Sequence, residues 1–278
     1  MALIRNTYGK GRVRVMRVHR NGARHEVREL TVRVMLTGDF GRVYTDADNA
    51  LALCTDTMKN VVNVVARENL SADTEPFCAA LARKFLDKYP QVHAVGIEAL
   101  ETKWNRLPVD GVPHDHSFVL DGNGKNRVEI DSTRQATSIA SGVTGFTVMK
   151  STRSGWDRYL KDEYTTLPET RDRICATSMD ATWRWRAAPA DYTAANARVL
   201  DAMLKVFATT YSASVQDSLY RMGSAAIAAV PELQDITLAC PNKHYLLINL
   251  APFNMDNDNQ VFLPTDEPHG QIECVVGR

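Results

Sequence analysis

The sequence predicts an α+β protein made of two tandem units, each an antiparallel ββααββ arrangement. Three observations carry this. The first half contains two period-two runs around an Asn-Gly pair, two stretches of helical periodicity, and two more strand-like runs. The second half repeats that order over a similar length. Between them, residues 133–142 are small and polar, as expected of a boundary, which sets the units at 1–136 and 137–278.

The first hairpin runs through Arg12, Val13, Arg14 and Val15, turns at Asn21-Gly22, and alternates again through Leu30, Val32, Val34 and Leu36. An apolar run at 50–54 reads as strand and stops at Thr55-Asp56. There a helix with Met58, Val61, Val62 and Val65 on one face begins, and Thr55 and Asp56 are read as N-cap formers. A second helix spans about 73–89, with Pro76 near its start and Phe77, Leu81, Phe85 and Leu86 as its stripe. Pro90 ends it. Strands at 92–104 and 117–131 complete the unit, the latter turning at Asp121-Gly122-Asn123-Gly124.

In the second half, strands at 143–150 and 179–186 flank a long polar insertion, 151–176. Helices follow at 194–210, with Val199, Leu200, Met203, Leu204 and Phe207 aligned, and at 214–230, closed by Pro231. Strands at 236–240, 245–250 and 271–276 end the chain. Two helices cover one face of each sheet, and the other face and the edges need a partner. Edge-to-edge joining with further copies closes a barrel, which predicts a homo-oligomer.

The totals narrow the function classes. Thirty-three basic and thirty-three acidic residues cancel over 278, so bulk charge gives no support for nucleic acid or a membrane surface as partner. Five scattered cysteines fit free thiols in a reducing compartment. No apolar run spans a bilayer, the N-terminus lacks a signal-peptide core, and the chain ends Val276-Gly277-Arg278 without a Ser-Lys-Leu tail. The expected place is the cytoplasm. There is no P-loop, no dinucleotide-binding Gly-x-Gly-x-x-Gly and no Gly-x-Ser-x-Gly elbow. His114 and His116 have a spacing that could hold a metal from one strand, but no Cys or Glu partner stands at a recognisable distance, so no metal is expected.

Polar residues at element ends are the candidate chemistry. Lys10 is read as lying just before the first strand, and a partly buried lysine can serve as a base. Arg173 closes the insertion, and Val215-Gln216 opens a helix. Arginine and glutamine together can grip a planar heterocycle through paired donors and acceptors. Asn242-Lys243-His244 is read as a connection between strands, where His244 could relay a proton near neutral pH. Each of these residues has an ordinary alternative role: a solvated lysine, a surface arginine, a helix start, a strand-end histidine.

Five stretches, in order and in register, resemble signatures of the urate oxidase (uricase) family. They are Tyr8-Gly9-Lys10, Thr55-Asp56-Thr57-Met58-Lys59-Asn60, Asp162-Glu163-Tyr164-Thr165-Thr166-Leu167, Ser212-Ala213-Ser214-Val215-Gln216 and Asn242-Lys243-His244-Tyr245. The resemblance covers nearly the whole chain and implies two tandem tunnelling-fold domains in a homotetramer. It implies oxidation of urate by O2 and water to 5-hydroxyisourate and hydrogen peroxide, with no metal and no organic cofactor. By motif, Lys10 and Thr55 match the family's catalytic pair, with His244 completing a proton relay. Asn242 matches the residue that holds O2 or water. Arg173 and Gln216 match the clamp on the substrate, and the backbone amides of Asp56 and Val215 match those that meet its ring. Trp156 stands where most members carry a stacking Phe, so an indole is expected there. The resemblance also implies that each site is shared between subunits. A tunnelling-fold enzyme acting on another purine or a pterin is the alternative; those relatives use a late Glu as anchor, whereas Arg173 and Gln216 are present here.

Overall fold

The computed structural model describes residues 1–278. The chain divides into two compact units, Met1–Gly142 with Arg184–Asn196, and Val143–Trp183 with Ala197–Arg278. No helix is long and apolar enough to cross a membrane.

The first unit begins with strands β1 (Tyr8–Asn21) and β2 (Arg24–Gly38). A short helix α1 (Gly41–Thr45), two longer ones, α2 (Thr55–Asn69) and α3 (Thr74–Lys88), and strands β3 (Val92–Val109) and β4 (Val112–Thr133) follow. The four strands lie in sequence order, all neighbours antiparallel. Alternation on β2 puts Leu30, Val32, Val34 and Leu36 wholly inside, against Met58 and Val62 of α2 and Phe77, Leu81 and Phe85 of α3. Each such fully buried side chain contributes about 1.5–3 kcal/mol of transfer free energy, so this layer of sheet and helices is the core on which the unit rests.

The second unit holds β5 (Thr137–Lys150, entering from the first), β6 (Cys175–Trp185), α4 (Tyr192–Thr209), α5 (Val215–Ala229), β7 (Leu233–Leu247) and β8 (Phe262–Gly277). Strand order is again sequential, and β7 pairs antiparallel with β8. Met179, Ala181 and Trp183 of β6, Val199 and Met203 of α4, Leu219 and Met222 of α5, and Ile236, Leu238 and Cys240 of β7 are buried.

Several local expectations are corrected. Residues 50–54 form a turn rather than a strand, with Ala52 N–H bonded to Asn49 O and Ala50 N–H to the Asp48 carboxylate, and α1 has no counterpart in the sequence reading. The hairpin between β3 and β4 turns at Asp110-Gly111, and the Asp121–Gly124 stretch is a bulge inside β4. There the register jumps from Glu101 opposite Asn126 to Lys103 opposite Asp121, and Lys103 holds Asp121 at 3.1 Å and the Asn123 carbonyl at 2.7 Å. Residues 137–142 are strand, not an irregular connection, and Ala140 and Ser141 are both buried. The two short strands expected at 236–240 and 245–250 are one, β7, so Asn242-Lys243-His244 lies within a strand. The irregularity sits on β8 instead, where Asn242 faces Gly270 and His244 faces Thr265.

Candidate active site

Within the first unit, two elements carry candidate residues. Lys10 lies inside β1, not ahead of it, opposite Val34, and the register slips between Lys10 and Val13 where Arg12 takes a φ of 54°. This bulge ends the regular ladder at the lysine and re-aims the strand. Gly9 makes the approach possible: a Cβ there would stand 1.8 Å from the Val34 carbonyl oxygen.

Thr55 and Asp56 are the first two residues of α2, and the N-cap is Cys54, whose side chain makes no capping bond. The expectation that Thr55 or Asp56 caps the helix is therefore corrected. The Asp56 carboxylate is engaged by the Lys59 ammonium and by Asn60 Nδ2 at 3.1 Å. It is held below the ordinary carboxylate range, chiefly by the Lys59 hydrogen bond, and Lys10 is among the weaker contributors. Lys10 thus stands within electrostatic reach of the first turn of α2. That turn presents main-chain N–H groups and the positive end of the helix dipole, a ready anion site.

Within the second unit, the insertion folds back so that two of its short segments, 153–156 and 170–173, are held by main-chain bonds to each other and to Ser212. Gly155 N–H donates to Ser212 O at 2.9 Å and Ser212 N–H to Arg153 O at 2.9 Å. Trp156 and Thr170 exchange both bonds, at 2.7 and 3.0 Å, and Arg173 N–H donates to Ser154 O at 2.8 Å. Trp156, Arg173 and the start of α5 are thereby brought together. Trp156 is half-buried and stacks on Tyr159, ring centroids 5.5 Å apart and planes 12° off parallel. Arg173 Nε is buried with no protein partner, as is the Ser154 hydroxyl.

The N-cap of α5 is Ser214, whose Oγ accepts from Asp217 N–H at 3.0 Å. Val215 and Gln216 are its first two residues, the positions that Thr55 and Asp56 hold on α2. A small cavity beneath this turn is lined by Cys175, Val215 and Cys240 among others. Burial pushes the Cys240 thiol up to about 12, so it remains a neutral wall. Arg173 comes two residues before Cys175, and Asn242 two residues after Cys240 on the same face of β7. Val215 lines this cavity, Arg173 and Asn242 each stand two residues from a cysteine that does, the exposed Gln216 follows Val215, and His244 comes two residues after Asn242 on β7.

The candidate residues thus fall into two sets: Lys10, Thr55 and Asp56 in the first unit, and Trp156, Arg173, Val215, Gln216, Asn242 and His244 in the second. Sequence reasoning missed Tyr8, whose hydroxyl bonds both main-chain groups of Leu53, and Tyr159 behind Trp156. Tyr8 could have been found from its place in the Tyr8-Gly9-Lys10 motif; nothing local marks Tyr159. His114 and His116 have rings 4.6 Å apart with His25 near, yet no group of three or more His, Cys, Asp or Glu is arranged to hold a metal ion.

The sequence matches the family model described as Uricase over residues 6–131 and 139–273. It is 39% identical over 278 residues to the uricase of Arthrobacter globiformis, covering 100% of this chain and 90% of that protein. It is 37% identical over 287 aligned positions to the uricase of Aspergillus flavus, covering 98% and 95%. Among solved structures, the crystal structure of the Arthrobacter globiformis uricase superposes with a TM-score of 0.95 over 100% of this chain and 95% of that one. That of a uricase from Bacillus fastidious, 26% identical, reaches 0.85 over 98% and 93%. The α+β architecture seen here is the tunnelling fold that the motifs implied. Five short motifs, a full-length match and a shared fold lead to one conclusion: the chain belongs to the uricase family.

Proposed function

We propose that the chain oxidises urate without metal or organic cofactor, in a site assembled from the two residue sets of different subunits in a homotetramer. Urate oxidation itself follows from membership of the uricase family. Urate, O2 and water become 5-hydroxyisourate and hydrogen peroxide: two electrons leave the purine, O2 takes them with two protons, and water supplies the new hydroxyl.

The observation that carries the reading is the insertion folded against the start of α5. Main-chain bonds tie the segments that carry Trp156 and Arg173 to each other and to Ser212, just ahead of α5, and Arg173 Nε is buried with no protein partner. A flat anion rich in carbonyls and ring nitrogens suits that set. Arg173 and Gln216 hold its edge, Trp156 covers its face, and the Val215 amide meets its ring. From the other subunit, the N–H of Asp56 meets the opposite edge at the positive end of α2.

Lys10 takes a proton from the Thr55 hydroxyl, and the threonine takes one from urate or the attacking water. His244 completes the relay, and Asn242 holds O2 or water over the ring. An electron-rich urate dianion can reduce O2 directly, so the protein's work is to fix it, exclude bulk water and move protons. Free, dispersed cysteines suit a cytoplasmic site of action. The pterin alternative is not favoured, since the family match spans both units.

Protein dialysed against a chelator should consume urate and O2 and release peroxide, and absence of peroxide under those conditions overturns the cofactor-free reading. Lys10→Met should lower kcat with modest change in KM. Turnover like the parent's would remove Lys10 from the relay.

A further inference from the structure

The Tyr8 hydroxyl makes two hydrogen bonds to a single residue. It accepts from Leu53 N–H at 2.6 Å and donates to Leu53 O at 3.1 Å. Only a neutral phenol can do both, and burial raises Tyr8 above the ordinary tyrosine range, which keeps the proton in place. The ring itself is fixed, edge-on to the fully buried Phe40 with centroids 4.8 Å apart and planes at 89°. Leu53 is buried as well.

Tyr8 lies two residues before Lys10, and Leu53 two before Thr55. On the strand side, Tyr8, Gly9 and Lys10 are held in register opposite Leu36, Met35 and Val34 of β2. The turn before α2, by contrast, has no side-chain cap to hold its exit. Its anchors to the β1 end are the two bonds from Tyr8. We propose that Tyr8 is a positioning residue of the proton relay: by gripping the Leu53 peptide units, its hydroxyl sets the separation of Lys10 from the Thr55 hydroxyl. This rests on the reading of Lys10 and Thr55 as the relay pair. Proton transfer requires donor and acceptor within about 2.6–3.2 Å, and a misplacement of about 1 Å can cost on the order of 100-fold in rate.

Tyr8→Phe keeps the ring and deletes both bonds. We expect kcat to fall by at least about tenfold with a much smaller rise in KM for urate, since Arg173 and Gln216 lie elsewhere and only the Asp56 N–H shares the turn with Thr55. In a cycle with Lys10→Met, the double variant should be no slower than Lys10→Met alone. Thr7→Val is the control for general loosening of the strand. It removes a neighbouring hydroxyl bond, Thr7 Oγ1 to Leu36 O at 3.1 Å, and should leave kcat unchanged.

Three results overturn the proposal: parent-like kcat in Tyr8→Phe, losses that multiply in the double variant, or an equal loss in Thr7→Val. Should Tyr8→Phe not fold, a ring-fluorinated tyrosine of lowered phenol pKa at position 8 preserves the shape. Its kcat should fall as pH rises through ionisation of that phenol, and a profile identical to the parent's overturns the idea. A parent protein inactive on urate, or a Lys10→Met variant as fast as the parent, would instead refute the underlying relay.

Discussion

Arg173 is tied to Ser154 by its main chain, N–H to carbonyl oxygen at 2.8 Å, while its side-chain Nε is buried without a protein partner. A desolvated donor left unpaired costs about 1–3 kcal/mol, a cost that a ligand able to accept the bond removes. Arg173→Ala should therefore raise KM for urate by roughly 10- to 100-fold and leave the melting temperature of the free enzyme unchanged or higher. Arg173→Lys restores a charge but not the planar fork, and should recover only a minor part of the loss. Steady-state kinetics beside thermal melts check this. A fall in stability with KM unchanged would make Arg173 a structural residue.

Gly155 has no room for a side chain. A Cβ would come within 2.2 Å of the Tyr211 hydroxyl and 2.9 Å of Thr170 O, and Tyr211 is itself held by a 2.9 Å bond to Arg171 O. Gly155→Ala must push Trp156 and the 170–173 segment apart. We expect a destabilisation of about 1–3 kcal/mol from overpacking, together with a raised KM as the stacking ring moves. The double variant Gly155→Ala/Tyr211→Phe, which removes the nearest clashing atom, should recover part of both losses. No recovery would place the strain at Thr170.

How far the sequence could be read depends on whether a feature is local. The alternation on β2, the helical stripes of α2 and α3, and the helix starts at Thr55 and Val215 are short-range patterns, and each appears where the periodicity puts it. Most of the candidate site residues are legible because they sit in compact motifs, Trp156 and Arg173 being the exceptions. What failed to show is set by a partner strand. The bulge after Lys10 exists only in register with β2, and the β8 irregularity opposite Asn242 and His244 only in register with β7. Of the two Asp-Gly pairs in this stretch, Asp110-Gly111 closes the β3–β4 hairpin, whereas the pair at 121–122 is absorbed by the ladder. Contacts such as Tyr8 with Leu53, forty-five residues apart, carry no local signature.

Acid should weaken the first unit through Glu29. This buried carboxylate accepts from Arg14 Nη2 at 2.7 Å and Trp104 Nε1 at 3.0 Å, and the Arg14 hydrogen bond chiefly holds it below the ordinary glutamate range. The folded-state value is depressed relative to the unfolded chain, so the stabilisation is present in full above the ordinary range and is lost as pH falls through the folded value. Melts of the parent and Glu29→Gln should differ at neutral pH and converge in acid. A constant gap across that window would show that the charge is not what Glu29 contributes.

Glu75, on the first turn of α3, is 2% exposed and meets no cation among its hydrogen-bond partners. It accepts from the Ser141 hydroxyl and from Asn196 Nδ2 at 2.8 Å, and Ser141 Oγ in turn accepts from Trp185 Nε1 at 2.8 Å. One carboxylate thus joins α3, β5, β6 and the start of α4 through a chain of polar groups that all lie inside the first unit. Glu75→Ala takes away the acceptor of the buried Ser141 hydroxyl and opens a void, so it should cost about 2–5 kcal/mol, read as an earlier midpoint in denaturant. Glu75→Gln keeps an acceptor for Ser141 and should lose much less. Because the network touches none of the candidate site residues, kcat and KM of the folded fraction should stay at parental values in both variants. Activity lost in proportion beyond the unfolded fraction would mean that the network also sets the geometry of the site.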